Sequence, residues 1–254
     1  MASRRRIVAE AKHDQFKVVG VGSFADVYQV VDTEIAFKIP FEQEEPEQAT
    51  EGQIYERLGT SHPFILRSYG EAESVRGKGL MLEYLPTGIL AKNLELEKFP
   101  VERTQWPVQA AEAIRYIHSM GVIHCDIGAH NFLIQKDGSL ALADFWGSSL
   151  DGSTAIVSTS TRYARPLSLA ERLLDQTETD DIFALGTVIY EISVGHRLYA
   201  DKSDSEIYQL FQKREFPDTT GLALRTVIDK CWRNQYSNAE EVKLDLGKEH
   251  LSML

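Results

Sequence analysis

The segment His124-Cys125-Asp126-Ile127-Gly128-Ala129-His130-Asn131 sets a carboxylate and an amide five residues apart, between a helical pattern and a short apolar run. Upstream, Val108 to Met120 carries Ala111, Ile114, Tyr116 and Ile117 along one broad apolar stripe, and Gly121 supplies a helix stop. Downstream, Phe132-Leu133-Ile134 reads as a strand. A second short strand, Leu140 to Ala143, delivers Asp144-Phe145-Trp146-Gly147. Any single acid here could be a turn residue. The order of the blocks is what makes the pattern specific.

Further blocks precede these. Gly20-Val21-Gly22-Ser23-Phe24-Ala25-Asp26-Val27 lies where the strands Phe16 to Val19 and Asp26 to Val31 meet. Small residues let backbone N–H groups approach phosphate oxygens, although a lone Gly-x-Gly turn is more often simply a hairpin turn. Glu34 to Ile39 predicts a third strand, with Ile35, Phe37 and Ile39 on one face and Ala36 and Lys38 on the other. An inward lysine needs a partner, because an unpaired buried charge is costly. Phosphate oxygens and an acid would supply it. Glu51 stands on a predicted helix over 47–58, where a solvated acid on an acidic helix is the competing reading. Ile65 to Gly70 and Gly79 to Leu85 read as two more strands.

Beyond Asp144 the chain turns helical. Thr179 to Val194 is almost wholly apolar apart from Asp180, Asp181 and Glu191, which predicts a helix at the centre of a domain. Three more helical stretches start near Asp204, Leu222 and Asn238. A sheet-rich lobe over about 14–85 followed by a helical lobe over about 86–254 is an α+β, bilobal plan with a cleft between the lobes. The boundary is expected near Pro86 to Gly88, with residues 1–13 as an N-terminal tail.

Bulk properties narrow the function. The 254 residues carry a formal net charge of −11, which argues against a general nucleic-acid or anionic-membrane binder. The basic run Arg4-Arg5-Arg6 reads as a solvated tail. No stretch reaches the roughly 18 apolar residues a membrane helix needs, and no apolar signal-peptide core is present. Two cysteines are too few for a disulfide framework, which together with the missing export signal predicts reduced thiols in the cytoplasm or nucleus. A monomer is expected.

Taken together, the blocks resemble a eukaryotic protein kinase domain of the Ser/Thr type over essentially the whole chain. The resemblance implies ATP as phosphate donor, Mg²⁺ with Mn²⁺ as substitute, and a protein substrate that the sequence does not name. It implies that the loop of Gly20, Val21, Gly22 and Ala25 covers the phosphates, and that Lys38 holds them while pairing with Glu51. Val27, Ala36 and Leu133 would sandwich adenine, with Leu82 behind it and the backbone of Glu83 to Leu85 along its edge. Asp126 would take the hydroxyl proton, Asn131 and Asp144 would bind the metal, and Asp181 would hold the catalytic-loop backbone. Elementary chemistry agrees: phosphoryl transfer needs cations on phosphate, hard oxygen ligands and an aligned hydroxyl.

Several positions depart from the family pattern. Ala25 replaces the third loop glycine, a mild change. Cys125 stands where most members carry an arginine that pairs with an activation-segment phosphate, so no switch through that contact is expected over Asp144 to Pro166. Gly128 replaces a phosphate-contacting lysine, and His130 nearby is expected to face solvent. Trp146 follows Asp144-Phe145 in place of glycine, which would restrict the backbone and either impair the site or lock Asp144 inward. Leu167 and Ala239 occupy both ends of a buried ion pair, a joint loss that is nearly neutral. Ser160, three residues before Tyr163, favours serine or threonine as acceptor, and the run Ser153 to Thr161 could hold autophosphorylation sites. An active kinase is the leading reading, and a nucleotide-binding pseudokinase the alternative. A small atypical kinase serving as an ATPase in a complex such as KEOPS fits the His124-Cys125-Asp126 loop less well.

Overall fold

The computed structural model describes residues 2–41, 46–95, 97, 99–157, 159–168, 171 and 176–252. Strands β1 (Phe16–Val21), β2 (Ala25–Val30), β3 (Ile35–Pro40), β4 (Ser68–Ser74) and β5 (Gly77–Glu83) form an antiparallel sheet in the order β1-β2-β3-β5-β4. Every residue of β3 is buried. Its alternation sends Ile35, Phe37 and Ile39 into one apolar cluster with Phe16, Tyr69 and Met81, while Ala36 joins the larger core on the other face. Lys38 therefore turns toward the interlobe cleft, as its place in the pattern predicts.

Two expectations for this lobe change. The N-terminus is not a tail, although Arg4, Arg5 and Arg6 stay exposed: helix α1 (Ala2–Glu10) packs on β4, and Val8 is fully buried in the cluster around Phe37. The Arg4 guanidinium lies 4.1 Å from the centre of the Tyr69 ring, a cation–π contact. A helix with so few apolar residues announces no amphipathic face, and its docking surface comes from residues far along the chain. The strand expected at Ile65 to Gly70 begins instead at Ser68. Ile65 and Leu66 are buried against the second lobe, where Leu66 N–H donates to Leu142 O at 2.8 Å.

Helix α2 (Pro46–Leu58) completes the first lobe. The second lobe is built on α3 (Trp106–Ser119), α4 (Glu178–Val194), α5 (Asp204–Gln212), α6 (Arg225–Trp232) and α7 (Ala239–Ser252). Every residue of α4 from Asp181 to Ile192 is buried, and the helix packs on α3 and α6. Two short antiparallel pairs frame the loop around Asp126: β6 (Val122–Ile123) with β9 (Ser149–Leu150), and β7 (Phe132–Ile134) with β8 (Leu140–Leu142). They fix both ends of the loop and the exit toward Asp144. No helix among the described residues is long and apolar enough to cross a membrane.

Candidate active site

The first-lobe wall of the cleft is an ion-pair cluster. Lys38 Nζ donates to both carboxylate oxygens of Glu51 at 2.9 Å and to Asp144 Oδ1 at 2.6 Å. Lys38 and Glu51 are buried, whereas the Asp144 side chain is 50% exposed to the cleft. Burial disfavours the Lys38 ammonium, but Asp144 and Glu51 outweigh it and hold its pKa above the ordinary value. Burial pushes Glu51 up despite Lys38, while the same lysine overcomes burial to hold Asp144 below its usual range. Behind the cluster, the His124 ring lies 5.1 Å from Phe145, which in turn meets Tyr55 of α2 edge-on at 5.1 Å. The helix carrying Glu51 and the segment carrying Asp144 are thus packed as one unit.

The second-lobe wall is the loop between β6 and β7. Buried Asp181 of α4 accepts from His124 N–H at 2.8 Å and Cys125 N–H at 3.0 Å. It thereby holds Cys125 at φ +67°, a left-handed conformation uncommon for a residue with a side chain. Asn131 Nδ2 donates to the Asp126 carbonyl at 2.8 Å and to its Oδ2 at 3.2 Å. His130 does not simply face solvent. Its Nε2 lies 3.2 Å from Asp126 Oδ2, and its ring meets Tyr163 edge-on at 5.6 Å.

Between the walls lie two adjoining cavities, of about 680 and about 410 Å³. The larger runs beneath the loop of Gly20, Val21, Gly22 and Ala25 and reaches Lys38, Asp126, Asn131 and Asp144. A Cβ on Gly22 would lie 3.0 Å from Ala25 O, so a side chain there would crowd the hairpin tip. The smaller is lined by Val27, Ala36 and Leu133, with Leu82 and the backbone of Glu83 to Leu85. Glu83 N–H and Tyr84 N–H are taken by Arg67 O and Glu34 O, at 2.9 and 3.0 Å. The Leu85 N–H has no partner among the described residues, leaving a donor for a planar heterocycle. Glu51 sits behind Lys38 and acts on a ligand only through it.

These residues fit a nucleotide and a hard cation. The Asn131 amide nitrogen is committed to Asp126, which leaves its oxygen, with the exposed oxygen of Asp144, to face the phosphate cavity. Asn131 and Asp144 would hold such a cation, whose charge would offset that of phosphate oxygens.

The departures from pattern have physical counterparts. Trp146 is 6% exposed and stacks on Phe24 of the glycine-rich loop, with ring centres 5.9 Å apart and planes within 16°. Its ring lies 5.7 Å from Lys38 Nζ, and its buried Nε1–H has no hydrogen-bond partner among the described residues. Asp144 nevertheless stays on Lys38, and Gly147, one residue later, takes the turn at φ +73°. Cys125 is buried, its thiol donates to Ile123 O at 3.3 Å, and burial pushes its pKa up. Thr159 Oγ1 caps the Cys125 carbonyl at 2.8 Å. Ser158, in the Ser/Thr run, lies outside the described residues.

Neither Leu167 nor Ala239 carries a charge, and other contacts anchor this end of the segment. The Arg162 guanidinium donates to Leu198 O at 2.7 Å and Lys202 O at 2.8 Å. Tyr163 Oη donates to buried Glu191 at 2.7 Å and accepts from Ala129 N–H at 3.3 Å. Arg165 pairs with Asp180 at 2.6 Å. Sequence reasoning missed the Tyr163–Glu191 tie. Its one signal was an acid inside an otherwise apolar helix.

Comparison with known proteins agrees with this geometry. The profile of the protein kinase domain family matches residues 13–244. Aurora kinase A-A of Xenopus laevis is 32% identical over 230 residues, covering 85% of this chain and 56% of the relative. A cAMP-dependent protein kinase, catalytic subunit-like, of Caenorhabditis elegans is 29% identical over 179 residues, covering 68% of this chain and 44% of its own length. The chain thus spans about half the length of the curated relatives it matches.

Proposed function

The chain belongs to the protein kinase domain family, and from that premise we propose that it transfers the γ-phosphoryl group of Mg·ATP to a serine or threonine hydroxyl of a protein. The observation that carries the reading is Lys38 bonded at once to Glu51 and Asp144, across the same cavity from Asp126 and Asn131. Bound Mg·ATP supplies the transferable phosphoryl group and a metal charge that offsets its oxygens, with Mn²⁺ able to serve instead. The chain supplies the rest. Lys38 holds phosphate oxygens, the glycine-rich backbone covers them, and Leu85 N–H orients the base. Asp126 aligns the acceptor hydroxyl and takes its proton as the new P–O bond forms and the bond to the leaving ADP breaks. Ser160, exposed on the wall of the phosphate cavity, supports a serine or threonine acceptor.

A second reading is a nucleotide-binding pseudokinase, favoured by one observation: the Trp146–Phe24 stack at the cavity. Transfer of labelled phosphate from Mg·ATP, measured beside Asp126→Asn, separates the two. The kinase reading expects activity that falls by about 10²- to 10⁴-fold in the variant. Silence in both proteins, with Mg·ATP still raising the melting temperature, would establish the pseudokinase instead.

A further inference from the structure

We infer that His130 is a positioning residue for phosphoryl transfer, orienting the Asp126 carboxylate toward the acceptor hydroxyl, an inference whose kinetic part rests on the kinase reading above. A carboxylate can only accept hydrogen bonds, so the 3.2 Å contact requires that His130 Nε2 carry the proton. Asp126 Oδ2 then receives two donors, His130 Nε2 and Asn131 Nδ2, both at 3.2 Å. Oδ1 has no partner among the described residues and is the oxygen left for a substrate proton. Asn131 also anchors to the Asp126 backbone. The imidazole therefore supplies a second, independent restraint on the carboxylate plane.

The surroundings are built for this ring. A Cβ on Gly128 would lie 2.3 Å from His130 Cε1 and 2.5 Å from Nδ1, so the imidazole occupies the volume a side chain at 128 would need. Tyr163 meets the imidazole in a T-shaped contact and is itself held by Glu191 and Ala129 N–H. His130 borders both cavities and its side chain is 36% exposed, which places it at the cleft without releasing it to solvent. The charged and titratable groups facing it are Asp126 on its own loop, Tyr163 of the following segment, Glu191 of α4, and Lys38 and Asp144 across the cavity.

The pairing can be read without any activity. Side-chain ¹⁵N spectra of the full chain, with His130 assigned by its loss in His130→Gln, should show an Nε2-protonated imidazole. In Asp126→Ala that Nε2–H resonance should broaden through exchange with solvent, because its acceptor is gone. Equal exchange in the two proteins would overturn the inference.

Kinetics supply the second arm. His130→Leu should lower kcat by about 10- to 100-fold through misalignment of Asp126, with KM for ATP little changed. His130→Gln, which keeps an N–H donor, should recover most of that loss. Gly128→Ala should resemble His130→Leu, since a methyl group there displaces the ring. A kcat unchanged in His130→Leu, or a Gln variant no better than Leu, would also overturn it. If the exchange difference is seen but the wild type transfers no phosphate, the kinase reading falls while the His130–Asp126 pair stands.

Discussion

The two walls of the cleft are held by different physics. On the first-lobe side, Lys38 and Glu51 form a set of ion pairs at 2.6 to 2.9 Å that reaches across to Asp144 of the second lobe, on residues the sequence pattern singles out. On the second-lobe side, charges expected of the family are missing at Cys125, Gly128 and Leu167. Hydrogen bonds take over there: Thr159 to Cys125 O, Tyr163 between Glu191 and Ala129, and His130 to Asp126. The contrast follows from desolvation. Removing Lys38 would leave buried Glu51 unpaired at a large cost, so that wall is held by charge pairing. A cation whose task is to meet an exposed or added phosphate can be lost together with that task, and neutral contacts then hold the backbone.

The largest effect should come from breaking the first wall. Lys38→Met strands Glu51 and Asp144, and stability should fall by about 3 kcal/mol, read as a loss in denaturation midpoint. Adding Glu51→Gln should return part of it, because the buried carboxylate is then gone. Recovery absent from the double variant would show that the wall is not held by charge pairing.

On the second wall, Tyr163→Phe removes one donor to Glu191 and should cost about 1–2 kcal/mol in chemical denaturation. A cost as large as that of Lys38→Met would erase the distinction between the walls. Between them, Phe24→Ala opens the stack on Trp146. It should cost less than about 1.5 kcal/mol and speed release of a fluorescent nucleotide in stopped flow. Unchanged release would mean that the stack does not cover the phosphates.

The smallest effect lies away from the cleft. Glu112 of α3 bonds Arg115 and Lys243 at 2.8 Å, tying α3 to α7. Arg115, with Lys243, holds its pKa at about 2. A carboxyl held below its unfolded value adds stability that is complete above the ordinary range. That contribution is lost as pH falls from about 4.5 toward about 2. Glu112→Gln should lower stability at neutral pH by about 1 kcal/mol, and that difference should vanish in acid. An equal difference at both pH values would assign the loss to packing.

Local regularity made much of this legible. The alternation in Ile35 to Ile39 turns Lys38 toward the cleft, because a strand's side chains alternate whatever packs on them. The apolar run of Thr179 to Val194 places α4 at the centre by the same kind of rule, with Asp181 and Glu191 as its buried acids. The two-lobe plan came from the change of period along the chain, and the candidate site residues from their order.

What the sequence by itself determined, then, is the fold class and the set of chemical groups at the cleft, because periodicity and spacing are properties of neighbouring residues. Tertiary structure alone decided how those groups are held. His130 and Asp126 are four residues apart in a loop whose path depends on Cys125 at φ +67°, so their spacing does not foretell contact. Tyr163 meets Glu191, Phe24 meets Trp146 and α1 covers β4 across separations that no local period encodes. Such contacts exist only once each lobe has folded, and for Phe24 and Trp146 once the two lobes have met, so that each buried polar or aromatic group finds the surface that fits it.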